Sequence, residues 1–413
     1  MISADDLLRI ALDVGEGLLK SGGEIRRVET TVEKICHAYS AAHVEVFSIN
    51  SLIIASVRMP DGSYSSQTRR IADVSNDMRC LERFNALSRM ICAQTPEPSV
   101  VDGEIAKIKS RRRYPLWASL LGNSFAAGGF AVIFGGSLRD ALAAAIIGIA
   151  VGLIEHSGVL SFNRLSKTLV LSFISGILTC LSVIVGIGQS MDMIAIGTIM
   201  LLIPGLSLSN AMRDLLRDDT LTGTLKTVQA CITAIMIAAG YGIAIILLGG
   251  YCPPSAAFAP AAPIRAVLLG ASAFFGTVGF ALMFKTAFSR LWIAGLGGLA
   301  VYAVYELSVY FGAPVFAAAI AAAFVIYLLA EICARLFKAP AILFFLCFSI
   351  PIVPGGSLYY SMYNLISYDA AAFAFHIQKT GQILLGMVLG ICLCSVLLKL
   401  MEKALVAIKG SRK

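Results

Sequence analysis

From about residue 115 onward the chain is a succession of apolar runs near twenty residues long, separated by short polar connections. A run of that length matches the hydrocarbon thickness of a bilayer, which a helix crosses in about 20 residues. Ten spans are predicted, centred near Phe125, Gly148, Gly176, Met200, Met236, Phe274, Val301, Phe324, Phe345 and Leu389. Before residue 110 the pattern is mixed and polar. Leu7 to Lys20 and Glu24 to Ala38 read as helices, the second with Ile25, Val28, Val32 and Ile35 on one face. Ser21 and Glu24 fit a capping box between them. Val44 to Ser48, Leu52 to Arg58 and Tyr64 to Arg69 read as strands, with Met59-Pro-Asp-Gly62 as a hairpin turn. Ser75 to Ala93 reads as a third helix, followed by a loop holding Pro96 and Pro98.

The apolar region repeats itself at an offset of 150 residues: Ile203-Pro-Gly-Leu-Ser-Leu-Ser-Asn-Ala-Met-Arg-Asp-Leu answers Val353-Pro-Gly-Gly-Ser-Leu-Tyr-Tyr-Ser-Met-Tyr-Asn-Leu. The same offset pairs Phe134 with Phe284 and Gly148 with Gly298. Five spans per half is an odd number, so a second copy must insert upside down. The expected fold is therefore a membrane all-α bundle of about ten transmembrane helices in two inverted five-helix repeats, with a small N-terminal soluble α+β domain. The boundaries are 1–110 for the soluble domain, 115–249 for the first repeat and 264–403 for the second. Chance similarity of two apolar halves is the competing reading, because matches outside the Pro-Gly motif are sparse.

Composition agrees with a membrane chain. Hydrophobic residues make up 58% and charged residues 14%, against about a quarter charged in soluble domains, and the mean hydropathy is +0.82. A net charge of +8 would suit nucleic acid, but the basic residues gather at span ends: Arg111 to Arg113, Arg164 and Lys167, Arg213, Arg217 and Lys226, Lys285 and Arg290, Arg335 and Lys338. The opposite connections hold Arg139, Arg265 and Lys379. The positive-inside bias predicts a multi-pass protein of the cell membrane with both termini cytoplasmic and no nucleic-acid partner. The chain opens with Asp5, Asp6 and Arg9 rather than an apolar stretch, so the first span is expected to serve as its own insertion signal. The ten cysteines show no metal spacing. No catalytic residue, metal or cofactor is predicted, and no nucleotide-binding loop is present.

Pro204-Gly205 falls about thirteen residues into its span, or about 20 Å, and Pro354-Gly355 at a similar depth. Proline removes a backbone donor and leaves polar backbone groups that lipid cannot satisfy. The half-helix after each break presents free amides, a pole suited to a carboxylate. Ser207, Ser209 and Asn210 in one half and Ser357, Tyr359 and Tyr360 in the other are the candidate partners of a substrate. A turn that merely ends a helix is the alternative. Glu155 and His156, aligned with Tyr305 and Glu306, are candidates for proton coupling, against solvated helix ends for the first pair and an interhelical hydrogen bond for Glu306. Arg213, Asp214, Asp218 and Asp219 could form a salt-bridge gate or a solvated loop. Glu331 and Arg335 read as a structural helical pair.

These motifs resemble the bacterial and fungal threonine/serine exporter family. Ser21-Gly-Gly-Glu24-Ile-Arg-Arg27-Val28-Glu29 is similar to its S-G-A-E-x-x-R-V-E signature, with Gly23 in place of alanine. Pro204-Gly-Leu-Ser-Leu-Ser-Asn210-Ala-Met-Arg213-Asp214-Leu-Leu looks like its P-G-x-x-x-x-N-x-x-R-D-L-L stretch, with Asp219 and Gly223 following. The resemblance implies a cytoplasmic domain fused to ten spans, and export of threonine and serine driven by the proton motive force. Split relatives linked to succinate export keep a dicarboxylate as the alternative substrate. Arg27 and Glu29 belong either to a cytoplasmic gate or to helix packing. The expected partners are a small-molecule substrate, protons and the bilayer; homo-oligomers are possible. The expected protein is a secondary transporter working by alternating access, not an enzyme. A membrane-anchored enzyme or receptor is the rival, and the leader offers no nucleophile or metal cluster to support it.

Overall fold

The computed structural model describes residues 2–72, 74–110, 114–160, 162–203, 211, 214, 220–253, 258, 261–366 and 369–410. The chain divides into two units, Met1–Pro115 with Phe284–Ala287, and Leu116–Met283 with Phe288–Lys413.

The first unit is a small α+β assembly. Helices α1 (Ala4–Lys20) and α2 (Ile25–Ala38) are followed by strands β1 (His43–Ile49), β2 (Leu52–Arg58) and β3 (Tyr64–Arg70), then α3 (Met78–Gln94) and α4 (Pro98–Ser110). The strands form an antiparallel meander in the order β1-β2-β3, with His43 opposite Arg58 and Leu52 opposite Arg70. Strand β2 alternates as a half-buried strand should: Ile53, Ala55 and Val57 are buried, on the strand that packs against α1. The turn at Met59–Gly62 holds because Gly62 adopts φ +86° and the Ser63 hydroxyl and amide donate to Asp61 over 2.7 and 2.9 Å, which also keeps the Asp61 carboxyl below its ordinary pKa.

Two local expectations for this unit are corrected. Ser21 does not cap α2; its hydroxyl donates back to the Gly17 carbonyl over 2.7 Å and it closes α1, while Glu24 precedes α2 without a capping hydrogen bond. The loop after α3 holds Pro96 as expected but is confined to residues 95–97, because Pro98 opens α4, proline at a first helical position costing no hydrogen bond. Helix α4 is tied to α1 by Arg9, whose guanidinium donates to both oxygens of Asp102 at 2.8 and 2.9 Å. That pairing holds the Asp102 carboxyl below the usual carboxylate range.

The second unit is helical: α5 (Leu116–Ile133), α6 (Leu138–His156), α7 (Arg164–Ile184), α8 (Met191–Ile199), α9 (Thr220–Leu248), α10 (Ala262–Met283), α11 (Leu291–Tyr310), α12 (Val315–Phe337), α13 (Ala341–Ser349), α14 (Gly355–Ile366) and α15 (Ala370–Gly410). Among the described residues seven helices are long and apolar enough to cross a membrane, or eight if α13 and α14, bent by 49° at their break, count as one span. Of the other two expected spans, α6 has the length but carries Arg139, Asp140 and Glu155, and α8 is described over 9 residues. Helix α6 exposes Leu142, Ile146 and Leu153, an apolar stripe suited to lipid.

Helix α5 packs on α6, α6 on α7, α7 on α9, and α8 lies against α5, α6 and α7. Likewise α10 packs on α11, α11 on α12, α12 on α15, and α13 lies against α10, α11 and α12. Between these sets α5 meets α10 at near-backbone distance. A Cβ on Gly122 would stand 2.9 Å from the Gly279 carbonyl, and one on Gly129 would stand 2.9 Å from the Ser272 carbonyl. Small residues are what permit such an approach, since in lipid helix association rests on close packing.

Candidate functional site

At the second Pro-Gly break α13 ends in a short turn, Ile350–Ile352, and α14 begins at Gly355. The Gly355 amide turns back to Val353 over 2.7 Å and the Leu358 amide closes on Pro354 over 3.0 Å. Glycine is required here by its neighbours. A Cβ at Gly355 would fall 2.0 Å from Met200 Sδ and 3.5 Å from Ile203 Cδ1, and one at Gly356 would fall 2.4 Å from the Phe134 ring. Residues that lead into the first break thus lie against the second one. Pro204, Gly205, Ser207, Ser209, Asn210, Arg213 and Asp219 lie outside the described residues.

The other candidates on this break have definite roles. Ser357 is buried, donates to the Pro354 carbonyl over 3.1 Å and accepts from Thr380 over 2.9 Å. Tyr359 is 3% exposed and sits in an apolar cluster with Ala195, Ile196 and Ile199 of α8 and Ile237 and Tyr241 of α9. Its ring meets Tyr241 edge-on at 6.1 Å and Tyr360 at 5.2 Å. Tyr360 stacks on His376 at 4.9 Å. Among the described residues no well-formed hydrogen bond reaches the buried hydroxyls of Tyr359, Tyr241, Ser175 and Thr179, although Thr179 and Tyr241 lie close enough to interact with each other. Buried polar groups normally find partners, so four orphaned hydroxyls in and beside one cluster stand out. Asp192, in the first turn of α8, is in electrostatic range of Tyr241, Tyr359 and Tyr360. The sequence reading missed Asp192, Tyr241, Ser175 and Thr179. The signal for Asp192 was an acidic residue opening an otherwise apolar helix; the hydroxyls carried none.

The remaining candidates are dispersed. Glu155 is exposed and lies 3.6 Å from Lys167, while His156 Nδ1 is 2.9 Å from the Gly152 carbonyl of its own helix; both suit a solvated helix end. Glu306 lies in electrostatic range of the Tyr302 hydroxyl one turn earlier, as does Arg265. Arg265 also borders a half-open cavity of about 220 Å³ between the end of α5, Phe258 and the start of α10. Asp214 forms an ion pair at 2.6 Å with Lys226 of α9. Glu331 is not the partner that Arg335 hydrogen-bonds; that is Glu402, on α15. Arg27 donates to Asn85 over 2.5 Å, and Glu29 accepts from the Ser48 amide over 2.8 Å, so both knit α2 to its neighbours. Among the described residues no group of three or more His, Cys, Asp or Glu could hold a metal.

One buried carboxylate is plainly structural. Asp140, 1% exposed, accepts from the Gln189 and Ser190 amides at 2.7 and 2.8 Å and from the Ser137 amide and hydroxyl, each at 2.8 Å. It fixes the turn from which α8 departs, and so the placement of Asp192.

Family comparisons agree with this architecture. A threonine/serine exporter family model matches residues 9–248, and a second threonine/serine exporter model matches residues 270–397. The chain is 23% identical over 376 residues to a threonine/serine exporter of Corynebacterium glutamicum, covering 87% of this chain and 76% of that protein. No solved structure matches significantly. With the first model alone spanning more than half of the sequence, this multi-pass membrane chain belongs to the threonine/serine exporter family.

Proposed function

We propose that the chain is a secondary active exporter of threonine and serine, driven by the proton motive force. Ten spans form two inverted five-helix repeats that alternate access around the paired Pro-Gly breaks. The observation that carries this reading is the seating of Gly355 and Gly356 against Met200, Ile203 and Phe134. It brings the second break beside the approach to the first, as a shared central site requires.

The repeat is supported by contacts that recur at the 150-residue offset. Gly122 meets Gly279 and Gly129 meets Ser272; shifting each partner by 150 exchanges the two contacts. Their order also runs antiparallel, as a two-fold axis lying in the membrane plane demands. The offset pairs Phe125–Phe275 and Phe130–Phe280 are themselves ring neighbours at 5.7 and 5.6 Å, as residues close to such an axis should be. Gly148 lies on Ala127, and Gly298 lies on Thr277, the same pair 150 residues later. Here α6 and α8 complete the first repeat, and α13 with α14 forms the broken fourth span of the second.

The test is efflux from liposomes containing the purified protein and loaded with labelled threonine, serine or succinate. An imposed pH gradient should accelerate loss of threonine and serine but not succinate. Retention of all three overturns the reading, and succinate efflux alone replaces it with dicarboxylate export.

A further inference from the structure

The orphaned hydroxyls around Tyr359 are expensive. A buried hydroxyl without a partner carries an uncompensated desolvation cost, and an ionisable side chain within a span costs still more. Tyr241 and Tyr359 are 2% and 3% exposed, Ser175 and Thr179 fully buried. Asp192, Ala195, Ile196 and Ile199 follow the i, i+3, i+4, i+7 spacing of a single helical stripe. The last three of these already pack in the Tyr241–Tyr359 cluster. Asp192 therefore lies one turn along the face that meets the tyrosines. Thr179 lies beside the Tyr241 hydroxyl, and Ser175 is one turn before Thr179 on α7. The cluster brings together one carboxylate and several uncommitted hydroxyls, without an opposing cation among its described members.

We propose that Asp192, with the hydroxyls of Tyr241, Tyr359 and Thr179, forms the subsite for the ammonium group and side-chain hydroxyl of a small amino acid. This rests on the transport reading and adds an amine-recognising end to a site whose carboxylate end lies at the helix breaks. The carboxylate supplies the counter-charge that an ammonium needs when it leaves water. The hydroxyls act as adaptable donors and acceptors toward the substrate's own hydroxyl. The arrangement selects amino acids over carboxylates that lack the amine, since without the ammonium Asp192 would face the ligand uncompensated.

Two measurements test it. In purified full-length protein, threonine should raise the thermal unfolding midpoint, whereas 2-hydroxybutyrate, which has no amine, should not. Asp192→Asn should abolish the threonine response, Asp192→Glu should retain part of it, and Tyr359→Phe should weaken binding at least five-fold without lowering the stability of the ligand-free protein. That last split separates a ligand site from a packing role, because removing an orphaned hydroxyl from a merely packed core costs no binding. Threonine exchange in liposomes should fall at least ten-fold in Asp192→Asn. An equal response to 2-hydroxybutyrate, an unaltered response in Asp192→Asn, or no response in the wild type overturns the subsite. Loss of the pH-gradient drive with exchange intact in Asp192→Asn also overturns it, pointing to a proton site instead. A wild-type response lost in Asp192→Asn but unaccompanied by any liposome transport upholds the subsite and overturns the transport reading.

Discussion

Facing or flanking the tyrosine cluster, the first half of the membrane unit carries Ser175, Thr179, Asp192 and Tyr241; 150 residues on, the second half carries Val325, Leu329, Ile342 and Ile391. The packing around these positions is closely related. Gly240 lies against Leu169 and Phe173 of α7, and Gly390 lies against Ile320 and Phe324 of α12. The halves therefore share a frame of small residues and differ in the polarity mounted on it. In lipid a frame needs only close approach, which glycine and alanine provide in either half. Polar groups must be justified one at a time, and at these four positions only the first half carries them, facing Tyr359 of the second. A second contrast makes the same point. Asp140 gathers four donors, two of them the Gln189 and Ser190 amides just before α8, while Arg290, 150 residues on, donates to the Phe337 carbonyl over 3.2 Å and lies 4.9 Å from that ring. One half ties its fourth helix by its amides and the other by a carbonyl.

The largest expected effect tests that second contrast. Asp140→Asn would turn donors toward donors at a buried site and should destabilise the protein by about 3 kcal/mol. Arg290→Met should cost about 1 kcal/mol, because a cation–π contact and a hydrogen bond to a carbonyl are weaker than a buried carboxylate's set of donors. Thermal unfolding of both variants in detergent checks the ranking, and equal losses would erase the asymmetry. Next, Thr179→Val should lower threonine exchange several-fold at unchanged or improved stability. Leu329→Thr should instead destabilise by about 1–3 kcal/mol with exchange preserved. If both lost exchange equally, the polar half would have no special standing. Ser172, whose hydroxyl donates to the Ile237 carbonyl over 2.7 Å, supplies the partnered contrast to Ser175: Ser172→Ala should cost about 0.6–1 kcal/mol and leave exchange unchanged.

The smallest effect calibrates the membrane against water. Asp102 in the soluble unit is half-exposed beside Arg9, so Asp102→Asn should cost about 0.5 kcal/mol at pH 7. Because Arg9 lowers the Asp102 pKa in the folded state, that contribution is present above the unfolded carboxylate value near 4. It vanishes as pH falls through the lower folded value. Variant and wild type should converge in the exchange protection of α4 in acid, measured at matched pH. A gap persisting below about pH 3 would mean the contact is not ionic.

Long apolar runs announced most of the membrane helices, and alternation at Ile53, Ala55 and Val57 announced the sheet. Local chemistry misled where two motifs compete for the same residues. Ser21 could cap the next helix or close its own, and it closes α1. Pro98 could break the chain or open a helix, and it opens α4. Arg335 had Glu331 at helical spacing, yet Glu402, on another helix, holds it. Tyr359 was legible as a candidate because it follows a break. Its orphaned hydroxyl was not, since partnering is a property of what surrounds a group.

The sequence by itself determined where helices run and where Pro354 interrupts one of them, because hydropathy, proline and glycine act over a few neighbouring residues. Only the tertiary structure decided that Asp140 would be fully satisfied and that Tyr241 and Tyr359 would not. The same is true of the placement of Asp192 on the α8 face whose Ala195, Ile196 and Ile199 pack with those tyrosines. Each of these depends on side chains separated by dozens of residues and brought within reach by helix packing, and no local pattern encodes which of them will meet.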